Sequence, residues 1–182
     1  MIELLKKRKS TRNFSDKLIG KNIIDQILEA ALLSPSSRGI DPWAFIVVED
    51  TKTIKQLSLA KEHGSAFLAG APLVIAVTAD NTKSDVWIED CSIASIIIQL
   101  EAESTGLGSC WVQIRRRKTK DGTESEVFVK KLLGIPDEYS VLSLIGIGYP
   151  AEAGTAPKNK SLDNSKCRYN SFNSGYFTDS NE

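Results

Sequence analysis

The chain predicts one domain of mixed helices and strands that is not a dinucleotide-binding fold. Three observations predict it. The 182-residue length suits a single domain with a substantial core. Stretches with helical apolar spacing alternate with short, continuous apolar runs of strand type. The glycine motif that follows a strand, Gly146-Ile147-Gly148-Tyr149-Pro150-Ala151, lacks the helix that a pyrophosphate site needs. The residues after Pro150 are Ala-Glu-Ala-Gly-Thr-Ala-Pro, with no amphipathic pattern.

The elements follow in order. Ile2 to Lys7 reads as a short helix that stops at a basic loop. Ile23, Ile24, Ile27, Leu28, Ala31 and Leu32 recur at helical spacing and predict an amphipathic helix over residues 20–33. The Ser34-Pro35-Ser36-Ser37-Arg38-Gly39 stretch is loop chemistry. Trp43 to Val48 is a strand. Asp50 or Thr51 can cap a helix carrying Ile54, Leu57, Leu59 and Ala60. Leu73 to Thr78 is continuously apolar, as a central strand would be. Val86 to Ser104 predicts a long helix, nearly apolar around much of its circumference, with Ile93, Ile96, Ile97 and Leu100 in its apolar surface. Gly106-Leu107-Gly108 ends it. Residues 109–114 are a third strand, 123–133 a helix closed by Gly134 and Pro136, and 141–147 a fourth strand. Residues 151–182 are rich in Ser, Asn and Lys, and are too polar to fold alone. They are either a disordered tail or an arm lying on another surface, and the whole of 1–182 reads as one domain.

Composition narrows the function. Lys plus Arg number 23 and Asp plus Glu 23, so the net charge is zero. That balance argues against dedicated nucleic-acid binding, which shows a broad basic excess. The only histidine is His63, and Cys91, Cys110 and Cys167 are widely spaced without a CxxC. Common zinc patterns and a disulfide framework are excluded, and no metal site is expected. A Cys-His nucleophilic pair is not expected either. With no apolar signal region and no membrane-length apolar stretch, a reducing cytoplasm is the expected compartment, with no membrane partner.

One local feature stands out against the neutral average. Lys6-Lys7-Arg8-Lys9-Ser10-Thr11-Arg12 puts five cations and two hydroxyls within seven residues. Arg offers a planar fork of donors, Lys a point charge and Ser or Thr a short donor, a set that suits one phosphate. The alternative is a solvated basic face or a nucleic-acid contact.

Four pieces line up in order: Arg8-Lys9-Ser10-Thr11-Arg12-Asn13-Phe14, Pro35-Ser36-Ser37-Arg38-Gly39-Ile40-Asp41-Pro42-Trp43, Gly106-Leu107-Gly108-Ser109-Cys110-Trp111-Val112-Gln113-Ile114-Arg115 and Pro157-Lys158-Asn159-Lys160. Together they resemble the FMN-dependent nitroreductase family over roughly residues 1 to 162. The resemblance implies an α+β fold with a central, mostly antiparallel sheet flanked by helices. It implies a homodimer with FMN at the interface and a C-terminal arm exchanged between subunits. Arg8, Lys9, Ser10 and Arg12 would hold the FMN phosphate, ribityl chain and pyrimidine edge. Arg12 would raise the reduction potential, because reduced flavin carries negative charge near N1 and O2. Pro35, Ser36, Ser37 and Gly39 would line the flavin from the other subunit. Gln113 and Ile114 would lie by the N5 edge through backbone groups, and Lys158 and Lys160 would return to the phosphate.

The implied activity is hydride transfer from NADH or NADPH through FMN to a nitroaromatic or quinone, with no catalytic side chain. A specialised acceptor (dehalogenation or dehydrogenation) and a non-catalytic redox sensor are the alternatives. Better-known members have Asn and Gln where this chain has Gly39 and Asp41. Gln113 takes a place often held by Gly or Glu, and Lys160 one where Arg is common. Trp43 and Trp111 are read as packing residues, and His63 as a surface histidine. Arg115-Arg116-Arg117-Lys118 is read as a solvated run, with attraction of the NADPH phosphate as the sharper alternative.

Overall fold

A computed structural model of the chain describes residues 1–151 and 162–177. Its centre is a four-stranded sheet of β1 (Trp43–Val48), β2 (Leu73–Asp80), β3 (Gly108–Gln113) and β4 (Tyr139–Gly148). The strand order is β1-β2-β4-β3 and every neighbouring pair is antiparallel. The helices are α1 (Ile2–Lys7), α2 (Lys21–Leu32), α3 (Thr51–Leu57), α4 (Trp87–Ser104) and α5 (Ser125–Leu133). This is the α+β architecture implied by the resemblance.

The continuous apolarity of β2 follows from its place. All eight of its residues are buried, and alternate ones serve two cores. Leu73, Ile75 and Val77 join a cluster with Ile24 and Ile27 of α2 and Ala94 and Ile98 of α4. Val74 and Ala76 join another with Ile54 and Leu57 of α3 and Val129 of α5. Helices therefore cover both sheet faces, and the strand has no solvent side on which to place polar residues.

Gly146 and Gly148 lie inside β4, where side chains would overlap Leu68 and Pro72. The glycine motif is a packing feature. Asp50 caps α3, its carboxylate accepting the Thr53 N–H at 2.8 Å. The helix stops at Leu57, with the Ser58 hydroxyl bonded to the Lys55 carbonyl at 2.7 Å. Leu59, two positions past Leu57 and off the face that carries Ile54 and Leu57, is exposed.

Helix α4 departs from the expected arrangement. Its sheet-facing side carries small and polar residues, Asp90, Cys91, Ala94, Ser95, Gln99 and Ala102, with Ile98 the large apolar one among them. Ile93 and Ile96 are exposed, and Ile97 and Leu100 half-buried. The helix thus buries its small and polar side within its own chain and presents Ile93 and Ile96 outward.

Candidate active site

The basic segment after α1 is held against the edge strand β3. Ser10 pairs parallel with Ser109, and the Thr11 N–H donates to the Ser109 carbonyl at 3.0 Å. Gly108 permits this approach. A Cβ there would stand 2.6 Å from Thr11 Cβ and 2.5 Å from Thr11 Oγ1, which no backbone can accept unmoved. Thr11 is buried while Ser10 and Arg12 on either side of it are exposed. The alternation anchors the segment and turns its cation outward.

The next residue of β3, Cys110, marks where the groups converge. Its thiol is buried, and burial raises its pKa. Opposing that shift are the positive charge of Arg12, the Ser10 hydroxyl, and the charges of Arg8 and Lys61, while the thiol itself donates to the Trp111 carbonyl at 3.7 Å. Arg8, Ser10 and Arg12 therefore all act on one strand residue, and Lys61 joins them from the segment after α3. Burial and the nearby Arg117 charge lower the Lys61 ammonium below the usual lysine value, with Cys110 opposing. Among the described residues, no carboxylate lies within ion-pair distance of Arg8, Arg12 or Lys61. A set of cations and hydroxyl donors without an acid partner fits a phosphate dianion.

Lys61 was not legible in the sequence. It stands in Ala60-Lys61-Glu62-His63 with no motif around it, and only folding connects it to β3. Its backbone is fixed by its N–H to Ser65 Oγ at 3.2 Å and by the Glu62 N–H to the Lys118 carbonyl at 2.9 Å. His63 is on the surface beside Glu62.

Gln113 and Ile114 lie where β3 ends. The Gln113 side chain accepts from the Trp111 indole N–H at 3.0 Å and donates to the Arg115 carbonyl at 3.1 Å. Ile114 is fully buried, its N–H donated to the Leu142 carbonyl at 3.0 Å and its carbonyl accepting from Arg117 at 3.1 Å. Lys158 and Lys160 lie outside the described residues.

The Pro35–Gly39 stretch is a separate, tightly specified loop. Arg38, Gly39 and Asp41 have φ of 57°, 62° and 49°, three left-handed residues within four positions. Asp41 closes the loop on Ser36, accepting its hydroxyl at 2.5 Å and donating its own N–H to that oxygen at 3.0 Å. Arg38 pairs with Asp85. Asp90 of α4, itself buried, accepts the Ser37 N–H at 2.8 Å and the Ser84 hydroxyl at 3.1 Å. Pro35 and Gly39 are exposed, and Ser36 and Ser37 half-buried.

The nitroreductase family model matches residues 5–63 and 56–149, which contain both the basic segment and the Pro35–Gly39 loop. The chain belongs to the nitroreductase family. Within this family it is similar to the solved FMN-dependent nitroreductase of Clostridium difficile R20291. The two are 46% identical with a TM-score of 0.91, over 94% of this chain and 100% of that one. A curated relative is the putative NADH dehydrogenase/NAD(P)H nitroreductase of Archaeoglobus fulgidus. It is 37% identical over 83% of this chain and 86% of its own length. The FMN reductase (NADPH) of Bacillus subtilis is 25% identical over 86% of this chain and 69% of its own. Among the family member's described residues, no helix is long and apolar enough to cross a membrane.

Proposed function

We propose that this chain is an NAD(P)H-dependent FMN oxidoreductase. It takes reducing equivalents from NADH or NADPH and delivers them to an electron-poor acceptor, such as a nitroaromatic or a quinone, in a ping-pong cycle. The observation that carries the proposal is the set of Arg8, Ser10, Arg12 and Lys61 near Cys110, with no ion-paired acid among the described residues, in a member of the nitroreductase family. When bound, FMN supplies the two-electron redox chemistry. The protein supplies the anchor: Arg8, Lys9, Ser10 and Arg12 hold the phosphate, ribityl chain and pyrimidine edge, and Lys61 adds a cation to the same place.

The site works in a homodimer, with Pro35, Ser36, Ser37 and Gly39 of one subunit lining the flavin held by the other. Two observations support this. Helix α4 both fixes that loop through Asp90 and presents Ile93 and Ile96 outward. Every residue of 162–177 is exposed, including Leu162, Tyr169, Phe172, Tyr176 and Phe177, as befits an arm that lies on a partner. Three free cysteines are suited to a reducing cytoplasm.

The test is an absorption spectrum of the purified protein followed by anaerobic addition of each nicotinamide. Yellow protein that bleaches and is reoxidised by a nitroaromatic or quinone is the expected result. Yellow protein that bleaches with neither donor would replace this reading with redox sensing. Bleaching without acceptor turnover would point to a specialised acceptor. Colourless protein that takes up no added FMN would overturn the cofactor.

A further inference from the structure

We propose that Arg115, Arg116 and Arg117 bind the 2′-phosphate of NADPH, making NADPH the preferred donor. The proposal rests on the flavin reading above and adds a residue set and a donor to it. The run follows Ile114, one residue past the end of β3, and is folded along its length. The Arg115 carbonyl accepts from the Gln113 amide, and its N–H reaches the Leu142 carbonyl at 3.2 Å. The Arg117 carbonyl accepts from Ser125 N–H at 2.9 Å, and Lys118 bridges to Glu124. Arg116 sits at φ 57°, a costly conformation for arginine that the contacts on both sides maintain. Arg116 and Arg117 are exposed and Arg115 half-buried.

Charge and position both point to a second phosphate. Lys118 pairs with Glu124 at 3.4 Å, while Arg115, Arg116 and Arg117 have no carboxylate within ion-pair distance among the described residues. Asp121, the acid in the same loop, is bonded to Thr119 and Thr123. The Glu62 N–H binds the Lys118 carbonyl, which joins this loop to the Lys61 segment, and Arg117 acts electrostatically on Lys61. Positive charge thus runs from Arg8 and Arg12 through Lys61 to Arg117. The flavin phosphate takes the first part of that field. A ligand approaching the flavin with another phosphate monoester meets the second part. NADPH carries such a group and NADH does not. Guanidinium forks bind phosphate in paired, charge-assisted hydrogen bonds.

The experiment titrates the protein as purified with adenosine 2′,5′-bisphosphate and with AMP by calorimetry, in wild type, Arg116→Gly and Arg117→Gln. Glycine at position 116 relieves the left-handed strain while removing the charge. In wild type the bisphosphate is expected to bind at least about tenfold more tightly than AMP, with an affinity that falls as salt rises. Each variant is expected to lose about tenfold in bisphosphate affinity with AMP unchanged, and kcat/KM should fall by a similar factor for NADPH alone. Equal affinities for the two nucleotides, or unchanged bisphosphate binding in both variants, would overturn the proposal. So would a single-stranded oligonucleotide that displaces the bisphosphate at equal phosphate concentration, because the run would then be a general polyanion surface. Flavin content of the same samples is read separately. Colourless protein overturns the flavin reading, while the calorimetry still decides the phosphate site.

Discussion

Gly108 and Lys61 set what the basic segment can do. Gly108→Ala would drive a methyl into Thr11 and push Ser10 and Arg12 away from Cys110. The expected cost is about 1–3 kcal/mol of stability, from overpacking, together with loss of bound flavin. Urea unfolding and the flavin absorbance of the same preparation measure the two; full flavin occupancy would show that the segment can bind elsewhere. Lys61 makes a prediction about pH. Burial and Arg117 lower its ammonium below the usual lysine value, so in the free protein it loses its proton earlier on the alkaline side. A phosphate favours the charged form. Flavin affinity should therefore be complete below that lowered value and decline as pH rises through it, with proton uptake on binding. Lys61→Gln should bind more weakly at neutral pH and lose this alkaline limb; an unaltered limb would exclude Lys61 from the site.

Among the elements, the Pro35–Asp41 loop shows how a buried acid orders a surface loop. Asp90 accepts two hydrogen bonds, one from the buried Ser84 hydroxyl and one from the N–H of half-buried Ser37. Asp90→Ala leaves the Ser37 N–H and the Ser84 hydroxyl unpaired, and each such group costs about 1–3 kcal/mol. The loop has three left-handed residues to support, so it is expected to loosen before the sheet does. Hydrogen exchange should show faster exchange at Ser37 and its neighbours with β2 unaffected; uniform loss of protection would mean that Asp90 serves the core instead. Little of this could be read beforehand. Pro, Ser and Gly at positions 34–39 identify a loop, but the partner of Ser37 lies 53 positions along the chain. The α3 end was similarly hidden, since the helix stops at Leu57 with no glycine or proline directly after it to announce the turn at Ser58.

For the whole molecule, the proposed homodimer makes a prediction about the outward side of α4. Ile93 and Ile96 are 38% and 37% exposed in the single chain, a cost that a second copy would remove. The double variant Ile93→Asp/Ile96→Asp is expected to sediment as a monomer that keeps its sheet but no longer retains flavin. A variant that remains dimeric would place the interface elsewhere. If the loop of one subunit completes the site of the other, flavin retention and dimer content should fall together on dilution.

Much of this protein was determined by its sequence alone. The order of helices and strands, the central place of β2, the cation cluster and the family are all carried by local periodicity and by short motifs in a fixed order. Periodicity reports faithfully which faces are apolar, because burial must match the helical or strand repeat. It does not report what covers each face. Helix α4 reads as apolar around much of its circumference, yet only the fold separates its buried Ala94–Ile98 side from its more exposed Ile93–Ile96 side. Nor does it report which distant side chains meet. Lys61 and Arg117 acquire their neighbours only when β3 enters the sheet beside β4 and its following loop meets the segment after α3, and Asp90 only when the Ser36–Gly39 loop packs on α4. Electrostatics and hydrogen bonding depend on distance through space, and that distance is set by tertiary packing.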